Sequence, residues 1–137
     1  MVERALRQRR VGPYQLQAAI AAVHDEAAST DETDWVQILG LYEVLARVAP
    51  SPVVSLNRAV AVAMAEGPKQ GLALMDALAA TGELENYHLL HAARADLLRR
   101  IGDTAEAAKS YARAIALAGN ASERRYLERR LRELQEA

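Results

Sequence analysis

His88 and His91 stand three residues apart, a spacing that brings two imidazoles to one face of a helix and makes the first half of a metal site. A catalytic zinc site needs three protein ligands and a structural one four. The next acid, Asp96, lies five residues past His91 on a different face, so the set is not completed. His24-Asp25-Glu26 closes a helical run, where a protonated imidazole simply favours the helix dipole. The run from Gly102-Asp103 to Lys109-Ser110 superficially resembles a phosphate-binding loop. It lacks the second glycine, and its Lys-Ser pair falls inside a helix instead of at a helix start. No glycine-rich dinucleotide fingerprint and no nucleophile elbow occurs. With three histidines and no motif, these residues predict neither catalysis nor a metal or cofactor.

Asn57, Arg58, His91 and Arg94 point to recognition instead. They sit on the first helices of two successive helical pairs, and Arg suits two-pronged capture of a carboxylate. They are the candidate partner-binding groove. The competing reading is that Arg58 and Arg94 pair with neighbouring helices and hold register. Two further arginine groups occupy the ends of the chain. Arg124, Arg125, Arg129 and Arg130 alternate with Glu123, Glu128, Glu133 and Glu136, which largely cancels their field. Arg4, Arg7, Arg9 and Arg10 are less compensated, and a solvated face is their plainest reading.

The elements that must position these residues are clearly punctuated. Residues 2–10 have helix-forming composition with no cap before them, so residues 1–11 read as the tail of a helix begun upstream of this sequence. Gly12-Pro13 opens a helix to about Ala28, and Ser29 to Asp34 is a polar loop ending in a cap. A second helix runs from Trp35 to about Val48, stopped by Ala49-Pro50. Ser51-Pro52 starts a third, ending near Glu66, and Gly67-Pro68 a fourth, closing at Thr81-Gly82. A fifth spans about Asn86 to Ile101. Gly102 supplies a left-handed turn, and Asp103 with Glu106 forms a capping-box pattern before the sixth. Gly119 ends that one, and Asn120 or Ser122 caps a seventh reaching about Gln135.

Apolar residues follow helical spacing throughout: Ile38, Leu41, Tyr42 and Leu45 in the second helix, Leu90, Leu97, Leu98 and Ile101 in the fifth, and Leu127, Leu131 and Leu134 in the last. The last helix also offers Glu128/Arg132, Arg129/Glu133 and Arg132/Glu136 as i,i+4 ion pairs on its wet side. An all-α fold follows.

Two stretches match when shifted by 36 residues. Arg94-Ala95 falls on Arg58-Ala59, Leu98 on Val62, Ala107 on Gly71 and Tyr111 on Met75. The later stretch carries the tetratricopeptide (TPR) spacing, in which paired antiparallel helices of about 34 residues stack because one pair cannot bury its apolar face alone. The expectation is a TPR-like right-handed superhelix over residues 12–137 as one domain. Composition agrees: 51% apolar, 26% charged, alanine-rich, with no Phe and a single Trp, suiting close helices more than bulky rings. Trp35 and Tyr14 are expected to cover the N-terminal end of that core. A net charge of −1 gives no global field toward nucleic acid, no apolar run reaches membrane-spanning length, and the absence of cysteine points to a reducing cytoplasm.

Several runs are more specific than periodicity. These are Gly12-Pro13-Tyr14-Gln15-Leu16-Gln17-Ala18-Ala19-Ile20-Ala21-Ala22-Val23-His24, Asp34-Trp35, Ser51-Pro52-Val53-Val54, Leu56-Asn57-Arg58-Ala59-Val60-Ala61, His91-Ala92-Ala93-Arg94-Ala95, and Asn120 with Glu123-Arg124. Together they resemble the C-terminal TPR-like extension of a group of extracytoplasmic-function (ECF) sigma factors. The resemblance implies a non-catalytic regulatory domain that contacts its own sigma regions, the RNA polymerase core or another protein. The promoter-reading regions of such proteins have no counterpart in this sequence, so direct promoter recognition is not expected of it. The alternative is a freestanding TPR-like adaptor that holds a peptide or C-terminal carboxylate at Asn57, Arg58, His91 and Arg94.

Overall fold

The computed structural model describes Ala19, Ile20 and residues 34–136. Among these residues there are six helices and no strand: α1 (Trp35–Val48), α2 (Pro52–Glu66), α3 (Pro68–Ala80), α4 (His88–Ile101), α5 (Thr104–Leu117) and α6 (Ala121–Glu136). The protein is all-α over this span. The expected helix over residues 13–28 is represented by Ala19 and Ile20 alone, which are helical and buried. Residues 1–11, expected as the tail of a helix, and Tyr14 and His24 lie outside the described residues.

Helix boundaries follow local chemistry. Asp34 Oδ1 accepts from the Gln37 amide at 3.0 Å and starts α1, and Ser51 Oγ accepts from the Val54 amide at 3.1 Å ahead of Pro52. Asn120, and not Ser122, caps α6, accepting from the Glu123 amide at 2.8 Å. At Gly102 (φ +89°) the Asp103 amide donates back to the Leu98 carbonyl at 2.9 Å, closing α4. That bond changes the expected capping box. Asp103 Oδ1 accepts from the Glu106 amide, but the Asp103 amide is already engaged, so the Glu106 carboxylate takes Lys109 instead at 3.2 Å. The α4 start also differs, at His88 instead of about Asn86. Residues 83–86 form turns that bury Leu84, and Arg113 donates to Asn86 Oδ1 from α5.

Each helix packs on the next in the chain, and α2 also touches α4. The core runs through the stack as three successive clusters. Ile38, Leu41 and Leu45 of α1 pack with Val54, Ala61 and Val62 of α2 and with Ile20, and Trp35 and Tyr42 pack against their edge. Leu56, Ala59 and Ala63 of α2 join Met75 of α3 and Leu90 and Leu97 of α4. Ala95 and Leu98 of α4 meet Ala107, Tyr111 and Ala114 of α5 and Leu127 and Leu134 of α6. Leu131 packs against the same cluster, completing the apolar face expected for the last helix.

The 36-residue shift reappears in the helices themselves. α2 to α4 is Pro52 to His88, and α3 to α5 is Pro68 to Thr104, each a step of 36. Matched positions are buried alike: Ala59 with Ala95, Val62 with Leu98, Met75 with Tyr111. Gly71 sits where α3 presses on α2. A methyl there would lie 2.8 Å from the Ala59 carbonyl oxygen and would overlap Ala63. Its counterpart Ala107 is fully buried against α4 with room for the methyl. No helix of the described residues is long and apolar enough to cross a membrane.

Candidate functional site

Arg94 lies on the face of α4 that also carries Leu90, Leu97 and Leu98, all buried. Its guanidinium leaves that seam to meet Asp76 of α3 at 2.7 Å, with Ser110 of α5 at 3.4 Å. Ser110 is buried, so this contact partners a hydroxyl that is otherwise removed from water. Arg94 therefore ties α4 to the second helix of the pair before it and to the second helix of its own pair. His91 is likewise engaged within the fold: its Nε2 is 2.8 Å from the Glu85 carbonyl oxygen and fixes the turn entering α4.

Arg58 is the 36-residue counterpart of Arg94, and the same shift carries Asp76 onto Gly40 and Ser110 onto Leu74. Neither replacement can accept a hydrogen bond from Arg58 through its side chain. Among the described residues Arg58 makes no ion pair, and it is half-buried. Asn57 projects from the next position round α2. The four residues chosen for a groove thus divide: His91 and Arg94 hold helices together, while Asn57 and Arg58 carry no such internal bond among the described residues.

His88 does not share a ligand set with His91. Its Nε2 is 3.2 Å from Glu123 Oε2 of α6, an electrostatic contact whose geometry is not that of a hydrogen bond. Asp96 is taken by Arg99 at 2.6 Å and Arg100 at 3.0 Å. Among the described residues no group of three or more His, Asp or Glu is placed to hold a metal. Arg99, its charge reinforced by the bond to Asp96, also lies beside Tyr111. Burial pushes the Tyr111 hydroxyl above its ordinary value of 10.0, and Arg99 works against that shift.

A second surface was not singled out by its residues. One face of α2 carries Val53, Asn57, Val60 and Met64, with Val60 packed against the cluster shared with α3 and α4. The matching face of α4 carries Leu89, Ala93, Asp96 and Arg100. Arg100 Nη1 approaches Met64 Sδ at 3.2 Å, so the two faces adjoin, and Val53 and Leu89 are both exposed apolar residues. Continuing the step to α6 gives Arg125, Arg129, Arg132 and Glu136. A shallow depression of about 400 Å³ is lined there by Ser122, Arg125, Tyr126, Glu128, Arg129 and Arg132.

The i,i+4 pairs expected on α6 are absent from this face. Among the described residues the ion pair within α6 is Arg130–Glu133, at 3.5 Å. Arg129 and Arg130 instead lie over the Tyr126 ring, 5.9 and 5.7 Å from its centre. Glu123 is drawn away by the Gly119 amide and His88. Arg125, Arg129 and Arg132 share one side of the helix, legible as the spacing 125, 129, 132, with Glu136 on that side and Glu128 at its edge.

No family model matches the chain, and no solved structure matches it. The chain is 50% identical over 132 residues to an uncharacterized protein of Rhizobium meliloti (strain 1021). The match takes in 96% of this chain and spans 30% of the length of that relative.

Proposed function

We propose that this chain is a TPR-like stack of helical hairpins that works by being bound. It serves as the non-catalytic regulatory domain of an ECF-type sigma factor, contacting that protein's own sigma regions, the RNA polymerase core or another regulator. The observation that carries the scaffold reading is the 36-residue step shared by α2–α3 and α4–α5, with a small residue at each close approach. Such pairs build an extended surface from their first helices and need no catalytic residue to be useful. The sigma-factor setting rests on the quoted runs, several of which have a physical job. Ser51-Pro52 starts α2, Asp34-Trp35 starts α1, and Asn120 with Glu123 starts α6. A relative of which this region makes up under a third is compatible with a module of a larger protein.

The test is promoter-dependent transcription by a sigma factor carrying this domain, with and without residues 12–137. Output or polymerase affinity falls on deletion. If both are unchanged, the regulatory reading is lost.

A further inference from the structure

We propose that Met64 is a site of reversible oxidation, where a peroxide converts the thioether to a sulfoxide whose oxygen is then held by Arg100. The oxidised side chain ties α2 to α4 more firmly than the reduced one. This goes beyond the scaffold reading above and stands independently of it.

Three observations carry it. First, Met64 is set apart from the other methionine of the described residues. Met64 is half-buried on α2, whereas Met75 of α3 is 0% exposed within the core. Second, a donor is already in place. Arg100 Nη1 approaches Met64 Sδ at 3.2 Å, and the same guanidinium is anchored from its other side, where Nε meets Asp96 Oδ2 at 3.0 Å. Asp96 is itself fixed by Arg99 at 2.6 Å. The guanidinium is thus positioned before any oxygen arrives. Third, the contact sits at a joint. α2 and α4 are the first helices of successive pairs, and among the described residues no other hydrogen bond or ion pair links them.

A thioether sulfur is a weak acceptor, so the reduced contact contributes little. Oxidation changes its character. A sulfur lone pair attacks one oxygen of hydrogen peroxide, and the S–O bond forms as the O–O bond breaks. Sulfur gives up two electrons, and the second oxygen leaves as water, taking the proton of the transferred one. The product carries a strongly polar oxygen, and elsewhere this conversion disrupts apolar packing. Here Arg100 supplies that oxygen with a charge-assisted hydrogen bond. Methionine is unbranched and flexible, so it turns the oxygen to the guanidinium without moving either helix. Methionine sulfoxide reductases return the thioether, which makes the link reversible.

The test treats the full chain with hydrogen peroxide and reads oxygen addition at each methionine by peptide mass mapping. Met64 is expected to react at least about tenfold faster than Met75, which is reached only when the core opens, and the two rates converge in urea. Hydrogen exchange then reads the joint. In the oxidised chain, amides of α2 and α4 near Met64 and Arg100 exchange about threefold or more slowly, the effect of a hydrogen bond to a charged group. Methionine sulfoxide reductases restore the original rates. Met64→Leu, a swap of similar volume that keeps the fold, isolates this site from Met1 and shows no slowing after peroxide. In Arg100→Leu the sulfoxide still forms, but exchange is not slowed. Oxidation of Met64 no faster than of Met75 in the folded chain overturns the proposal. So does unchanged or faster exchange in the oxidised parent, equal slowing in either variant, or failure of the reductases to reverse it. None of these outcomes bears on the scaffold reading, which the transcription assay with and without residues 12–137 tests separately.

Discussion

At the scale of single residues, the useful comparison is between positions one repeat apart. Arg94 and Arg58 are the same residue at the same place in consecutive helix pairs, yet Arg94 has Asp76 and Ser110 where Arg58 has Gly40 and Leu74. The arginines themselves were visible as candidates. Which one is spent on the fold was not, because the partners come from helices 16 and 18 residues away. Tyr111 makes the other residue-scale point. It is 2% exposed, and burial, opposed by Arg99, raises its hydroxyl above 10.0; burial raises Tyr42 in the same direction. Below that value both folded and unfolded chains hold the proton and stability is unaffected. Above it the unfolded chain deprotonates first, so stability falls as pH rises from about 10 toward the folded value. Urea midpoints measured from pH 8 to 11 should be level at first and then decline. Tyr111→Phe should make the decline shallower; an identical slope would show that Tyr111 does not contribute.

At the scale of elements, boundaries and faces were largely written in local residues. Ser51-Pro52, Gly102-Asp103 and Asn120 act through atoms within five residues, which is why their roles as stops and starts could be read directly. The capping box at Asp103 and Glu106 closed only halfway because the preceding helix claimed the Asp103 amide, a bond set by the geometry of α4. Helix contact depends on small residues, and the two matched positions differ in tolerance. Gly71→Ala should destabilise by about 1–3 kcal/mol, because the added methyl meets Ala63 and the Ala59 backbone and must push α3 off α2. Chemical denaturation checks this, with Ala107→Gly as the partner experiment. That change should cost about 1 kcal/mol through helix propensity and a lost contact. A neutral or stabilising Gly71→Ala would mean that α2 and α3 are not held this close.

At the scale of the whole molecule, the core among the described residues is a series of three clusters, each shared by neighbouring helices, instead of one centre. Opening should then proceed from the ends, since an outer helix has a neighbour on one side and an inner helix on both. Hydrogen exchange is expected to be slowest in α2 to α5 and faster in α6, whose exposed side is almost wholly charged. Uniform exchange across α2 to α6 would indicate a single cooperative unit instead. The sequence alone settled that the described residues are helical, where most of their helices begin and end, and that a 36-residue step relates two helix pairs. Those features depend on caps, prolines and apolar spacing, which act within a few residues. Only the tertiary structure decided which polar groups are used up between helices and which remain for a partner. That outcome turns on which helices lie side by side: Arg94 finds Asp76 and Ser110 on two neighbouring helices, whereas Arg58, one repeat earlier, meets no ion-pair partner among the described residues.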